Sequence, residues 1–222
     1  MGHLLWVLTA RGFDMHDLRE RWNRLWEALG AAGSPDSTFA TLSAAYSEPQ
    51  RKYHNLSHIE MCLDELDRAE YLAERPRDIE YAIWFHDAVY DTHRNDNETR
   101  SAEMALETIE SATMNRIVAP AVKDLIHATQ HHATPATTDG RLIADIDLAI
   151  LGQKSTVFDT YEDAIRQEYD WVDEQAFRIE RSKVLRHFLE QPHVYRTAMF
   201  RGRFEAAARA NLGRAIERWK PQ

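Results

Sequence analysis

Between Leu18 and Leu29, apolar side chains fall at Leu18, Trp22, Leu25, Trp26 and Leu29, the spacing of one buried helical stripe. Similar stripes recur along the chain, and most of its eight glycines and seven prolines sit between them rather than inside them. Gly30, Gly33 and Pro35 stop the first helix, and Asp36 is placed to cap the next. Further helices are predicted near 36–46, 55–73, 78–90, 97–111, 119–132, 139–152, 156–168, 173–190 and 203–219. Few runs alternate with a period of two, so a sheet is not expected. No repeat, low-complexity linker or shift in composition marks a second domain. The expected architecture is an all-α, single-domain helical bundle over residues 15–222, preceded by an N-terminal extension of doubtful origin over 1–14.

At 222 residues the chain is long enough for a substantial core. A formal charge of −9 argues against nonspecific binding to nucleic-acid polymers or membrane surfaces. It does not exclude an anionic small substrate, because a bound cation reverses the local field. The single cysteine, Cys62, rules out an intrachain disulfide framework and suits a reducing cytoplasm. Leu4-Leu5-Trp6-Val7-Leu8 is far shorter than the roughly 20 residues that span a bilayer. It also lacks the basic flank and cleavage site of a secretory signal. A cytoplasmic protein without a membrane segment is expected.

Chemistry concentrates between Tyr53 and Asp91. Tyr53-His54-Asn55-Leu56-Ser57-His58 is followed by Ile83-Trp84-Phe85-His86-Asp87-Ala88-Val89, which sets an adjacent histidine and aspartate inside an apolar run. A carboxylate buried there needs a partner or a metal, because it otherwise forfeits its hydration. His54 and His58, four residues apart, share a helix face if the helix already runs from 54. His86 and Asp87 lie about 100° apart on a helix and can both reach a cation at its edge. A further ligand is expected from Ala144-Asp145-Ile146-Asp147-Leu148, where two carboxylates interrupt another apolar run.

The order of a histidine, a His-Asp pair and a distant aspartate resembles the HD-domain superfamily of metal-dependent phosphohydrolases. The words around it strengthen the likeness: Tyr-His-Asn-Leu-Ser-His, Ile-Trp-Phe-His-Asp-Ala-Val-Tyr-Asp, Asp-Asn-Glu and Asp-Leu-Ala-Ile-Leu-Gly. They look like a subgroup described only as predicted phosphohydrolases, and the likeness runs from about Leu18 to Ala215. The resemblance implies an HD-type helical bundle in which His58, His86, Asp87 and either Asp147 or Asp145 hold a divalent cation. Asp147 is favoured because it directly precedes the leucine-rich stretch, and His54 is a further candidate.

Imidazole and carboxylate donors without thiolate suit Mn, Fe, Co, Ni, Zn or Mg. Asp91, four residues beyond Asp87, and Glu98 are candidates for proton transfer. Among His127, His131 and His132, either of the last two is a candidate to contact phosphate or support the centre. Arg51, Arg166 and Arg181 are candidates to clamp the phosphate of a small phosphorylated substrate, with nucleotides among the options. Tyr53, Trp84, Phe85 and Tyr90 could stack on a base, or belong to the core. His3, His16, His93, His187 and His193 read as surface or satisfied core residues.

Two other functions fit the same residues. A di-iron oxygenase on this scaffold would draw extra ligands from the 127/131/132 histidines. A noncatalytic module would keep the pocket to bind a nucleotide. Oligomeric state is not legible.

Overall fold

Trp22 sets the arrangement of the first half of the molecule. In the computed structural model, which describes residues 15–130 and 135–221, its ring meets Trp84 edge-on at 5.5 Å and stacks on Tyr81 at 6.1 Å. Each such fully buried aromatic stabilises the fold by about 1.5–3 kcal/mol relative to an exposed one. Trp22 lies on α1 (Met15–Ala28), whose stripe of Leu18, Trp22, Leu25 and Trp26 is buried as the spacing predicts. Gly30, at φ +66°, ends α1: the Ala31 N–H donates to the Trp26 carbonyl, a closure that requires a left-handed residue.

Trp84 and Tyr81 belong to α4 (Pro76–Phe85), in which Tyr81 through Phe85 are all buried. A helix apolar on every side must lie at the centre. Around it pack α1, α3 (Leu56–Ala69), α5 (Asn97–Ser111), α6 (Ala119–His127) and α7 (Thr138–Asp147). Two buried tyrosine hydroxyls here find backbone carbonyls. Tyr46, just past α2 (Asp36–Ala45), donates its hydroxyl to the Trp84 carbonyl, and Tyr81 donates to that of Ala105.

A 3-10 turn, Leu148–Gly152, continues α7 and is buried throughout. Against it pack α8 (Ser155–Glu168) and α10 (Ala198–Arg218), and α9 (Glu174–Glu190) packs on α10. The described residues are thus ten α-helices in one bundle, with no strand among them.

Several boundaries depart from the sequence expectation, among them that of α6, expected over 119–132 but ending at His127. Helix α4 stops at Phe85 rather than near 90, because the carbonyls of Asp87 and Ala88 are taken by Arg51 instead of continuing the helical ladder. The segment expected over 139–152 turns from α to 3-10 geometry at Leu148. Helix α10 begins at Ala198, five residues before the expected start, where the Thr197 side chain accepts from the Phe200 N–H as its cap.

Candidate metal centre

His58 lies in the first turn of α3, capped by Asn55, whose side chain accepts from the Ser57 N–H. His86 follows the last residue of α4 and Asp87 is next, while Asp147 ends α7. These side chains converge. His58 Nε2 lies 3.1 Å from His86 Nε2, 3.2 Å from Asp147 Oδ1 and 3.7 Å from Asp87 Oδ2. His86 Nε2 lies 3.1 Å from Asp87 Oδ2 and 3.6 Å from Asp147 Oδ1. Donors about 2.0–2.2 Å from one cation would stand roughly 2.8–3.6 Å apart, at octahedral or tetrahedral angles.

The donor chemistry fits a divalent ion. His86 Nδ1 sits 2.8 Å from the Ile83 carbonyl, which places a proton on Nδ1, so that the neutral ring would offer its Nε2 lone pair to a metal. Both imidazoles are buried, at 0% and 3% side-chain exposure for His58 and His86. The carboxylates of Asp87 and Asp147 keep 15% and 18%. Burial alone would raise both carboxyls, but His86 and His58 outweigh it and hold Asp87 and Asp147 well below the usual carboxylate range. Burial works against the His86 cation, yet Asp87 and Asp147 raise its pKa well above the ordinary value. For His58 burial prevails, and its pKa falls. Two ionised carboxylates facing two buried imidazoles are the surroundings a divalent cation neutralises.

His54 is not in the converging set. Helix α3 begins at Leu56, so His54 precedes it and does not share the His58 face. Its Nδ1 pairs with Glu168 Oε2 at 2.7 Å and its ring stacks on Tyr90 at 4.2 Å. Burial disfavours its charge, but Glu168 and Asp87 together raise its pKa. Asp145 is likewise elsewhere. Its carboxylate accepts the backbone N–H groups of Arg196 and Thr197, each at 2.7 Å, and so ties α7 to the start of α10. Neighbouring residues two apart on a helix point about 200° away from each other, so only one of this pair can face the centre.

The expected phosphate clamps divide. Arg51 donates to the carbonyls of His54, Asp87 and Ala88 and to the Glu48 carboxylate, and is a buried brace rather than a clamp. Arg166 donates to the carbonyls of Tyr169 and Val172 and pairs with Glu174, which closes the end of α8. Arg181 alone of the three reaches the site. It lines a cavity of about 30 Å³ together with Tyr53, His54 and Asp147. Glu162 holds it in a largely buried pair, and the Tyr161 hydroxyl accepts a further bond from it.

Neither proposed proton carrier meets the converging groups. Asp91 is exposed and accepts from the His93 N–H, because α4 ends before the helix could carry it onto the Asp87 face. Glu98 sits in the first turn of α5, and no hydrogen bond or ion pair links it to the four. His131 and His132 lie outside the described residues, while His127 ends α6. Trp84 and Phe85 belong to the core, whereas Tyr53 borders the cavity and Tyr90 the His54 ring.

Glu168 is the residue that sequence reading passed over. One oxygen accepts the backbone N–H groups of Lys52, Tyr53 and His54, and the other takes His54 Nδ1 and the Tyr90 hydroxyl. Burial would raise this carboxyl, but those bonds bring it down to about 2. The only trace in the sequence is a glutamate at an otherwise buried helical position of α8.

Comparison with protein-family models, with curated proteins and with solved structures finds no match to this chain. No helix among the described residues is long and apolar enough to cross a membrane.

Proposed function

We propose that this chain is a metal-dependent phosphohydrolase of the HD-domain type, acting on a small phosphate ester. The observation that carries the reading is the convergence of His58 of α3, His86 and Asp87 just past α4, and Asp147 of α7 on one buried point. These residues would hold a divalent cation. Bound there, it would polarise a phosphoryl oxygen and lower the pKa of a coordinated water towards neutrality.

The chain's own groups supply the rest. Arg181 lines the same cavity as Asp147 and would face the charge that builds on the phosphoryl oxygens, and a cation fixed before the reaction needs no reorganisation. Glu168 fixes the His54 ring through Nδ1, which leaves Nε2 as its working nitrogen for moving a proton to the departing alkoxide. Leu148, Leu151 and Leu185 wall the cavity and exclude bulk water.

Metal analysis of the purified protein, paired with phosphate release from phosphoesters in added Mn²⁺, Co²⁺, Ni²⁺ or Mg²⁺, tests this. One bound metal with metal-dependent release is the expected result. Two irons with oxygen uptake and no release would favour the oxygenase. Tight nucleotide binding without turnover would leave a binding module.

A further inference from the structure

Three buried side-chain polar atoms lack a hydrogen-bond partner among the described residues: Ser43 Oγ, Tyr53 Oη and Trp84 Nε1. Of these residues only Tyr53 lines the cavity beside Asp147. A buried hydroxyl without a partner is a standing cost to a fold, and such a group calls for a reason. The Tyr53 ring is locked in place, 4.6 Å from the Tyr161 ring and 4.8 Å from that of His58. Arg181 borders the same space. Its bonds to Glu162 and Tyr161 use Nε and Nη2, and none uses Nη1.

The cavity is small and mostly apolar beyond these donors. Its 30 Å³ or so would take two or three waters, at about 10–15 Å³ each. Leu148, Ile150, Leu151, Leu185 and Phe188 form its apolar walls, Leu185 fully buried, and His54, Tyr161 and the Asp147 carboxylate complete the lining. A compact tetrahedral oxyanion suits such a space. A second substituent on phosphorus would have to displace packed core side chains, which interiors resist.

We propose that this cavity seats a phosphoryl group bearing one ester substituent, with Tyr53 Oη and Arg181 Nη1 donating to its free oxygens. The substrates are then phosphomonoesters and not phosphodiesters. The inference rests on the phosphohydrolase reading above, and it extends that reading to a substrate class.

The test titrates inorganic phosphate, methyl phosphate, dimethyl phosphate and methyl sulfate into the full chain, with and without Mn²⁺, beside Tyr53→Phe. Methyl sulfate matches the single charge of dimethyl phosphate but carries one substituent. Phosphate, methyl phosphate and methyl sulfate are expected to bind, and dimethyl phosphate at least about tenfold more weakly than methyl sulfate. Tyr53→Phe should weaken phosphate binding about three- to tenfold, keep the parent's metal content and leave Tm equal or a few degrees higher.

Equal phosphate affinity in parent and variant overturns the proposal. So does dimethyl phosphate binding as tightly as methyl sulfate, absence of phosphate binding, or a lowered Tm, which would mean that the hydroxyl has a structural partner. A parent that takes up no cation sinks the phosphohydrolase instead, and phosphate titration of the two metal-free proteins still decides the cavity.

Discussion

The Arg51 guanidinium donates through Nη1 to the Asp87 carbonyl at 2.6 Å and to the His54 carbonyl at 3.3 Å. Its Nη2 donates to the Ala88 carbonyl at 3.1 Å. One buried side chain therefore joins the backbone of the first histidine motif to that of the second. A charged brace works here because the turn after α4 leaves carbonyls that no helical N–H can reach.

Replacing that brace should cost both fold and site. Arg51→Met is expected to destabilise the protein by about 2–4 kcal/mol, since several buried acceptors lose their donor at once. Urea unfolding at neutral pH measures it, and Mn²⁺ titration of the folded fraction should show weaker binding as Asp87 loosens. Stability equal to the parent's would refute the bracing role.

The two aspartates of α7 should separate cleanly. Asp147→Asn is expected to abolish stoichiometric metal while Tm holds or rises. Asp145→Ala should keep the metal but lose about 2–4 kcal/mol, because two buried backbone N–H groups are left without acceptors. The reverse pattern in metal analysis and thermal melts would reassign the fourth converging group to Asp145.

Glu168 links stability to pH. Its folded pKa, brought down to about 2, lies below the ordinary value of 4.5, so its contribution is fully present above that value. It is lost as pH falls from there towards 2, and amounts to roughly 3 kcal/mol at neutral pH. Glu168→Gln should therefore be destabilised by about that much at pH 7, with the gap to the parent narrowing by pH 3. Parallel stability curves across that range would contradict the assignment.

Gly152 is a close-approach glycine. A Cβ there would stand 2.8 Å from the Tyr195 hydroxyl and 2.9 Å from the Phe204 carbonyl of α10. Helix backbone cannot yield, so Gly152→Ala should cost about 1–3 kcal/mol or more by overpacking. It should also shift the 3-10 turn that follows Asp147, readable as weakened metal binding. An alanine variant with unchanged denaturation would show that α10 can move away.

The helices themselves were legible because their signal is local. The stripe of Leu18, Trp22, Leu25 and Trp26 reports a period that any helix must bury, and α1 buries it. His86 and Asp87 stand side by side in the sequence, so their meeting needed no long-range information. The end of α4 was misplaced because it depends on Arg51, which takes the carbonyls of Asp87 and Ala88 from 36 and 37 residues away.

Sequence alone determined an all-helical bundle and a short set of histidines and aspartates with the chemistry to meet a cation. Only the tertiary structure set Asp147 beside His58 and His86 and turned Asp145 to the start of α10, made Arg51 and Arg166 braces, and brought Glu168 to a backbone turn 114–116 residues distant. The reason is physical. Periodicity and covalent neighbourhood are written residue by residue, whereas a buried polar side chain takes its role from whichever backbone donors and acceptors distant segments leave unpaired.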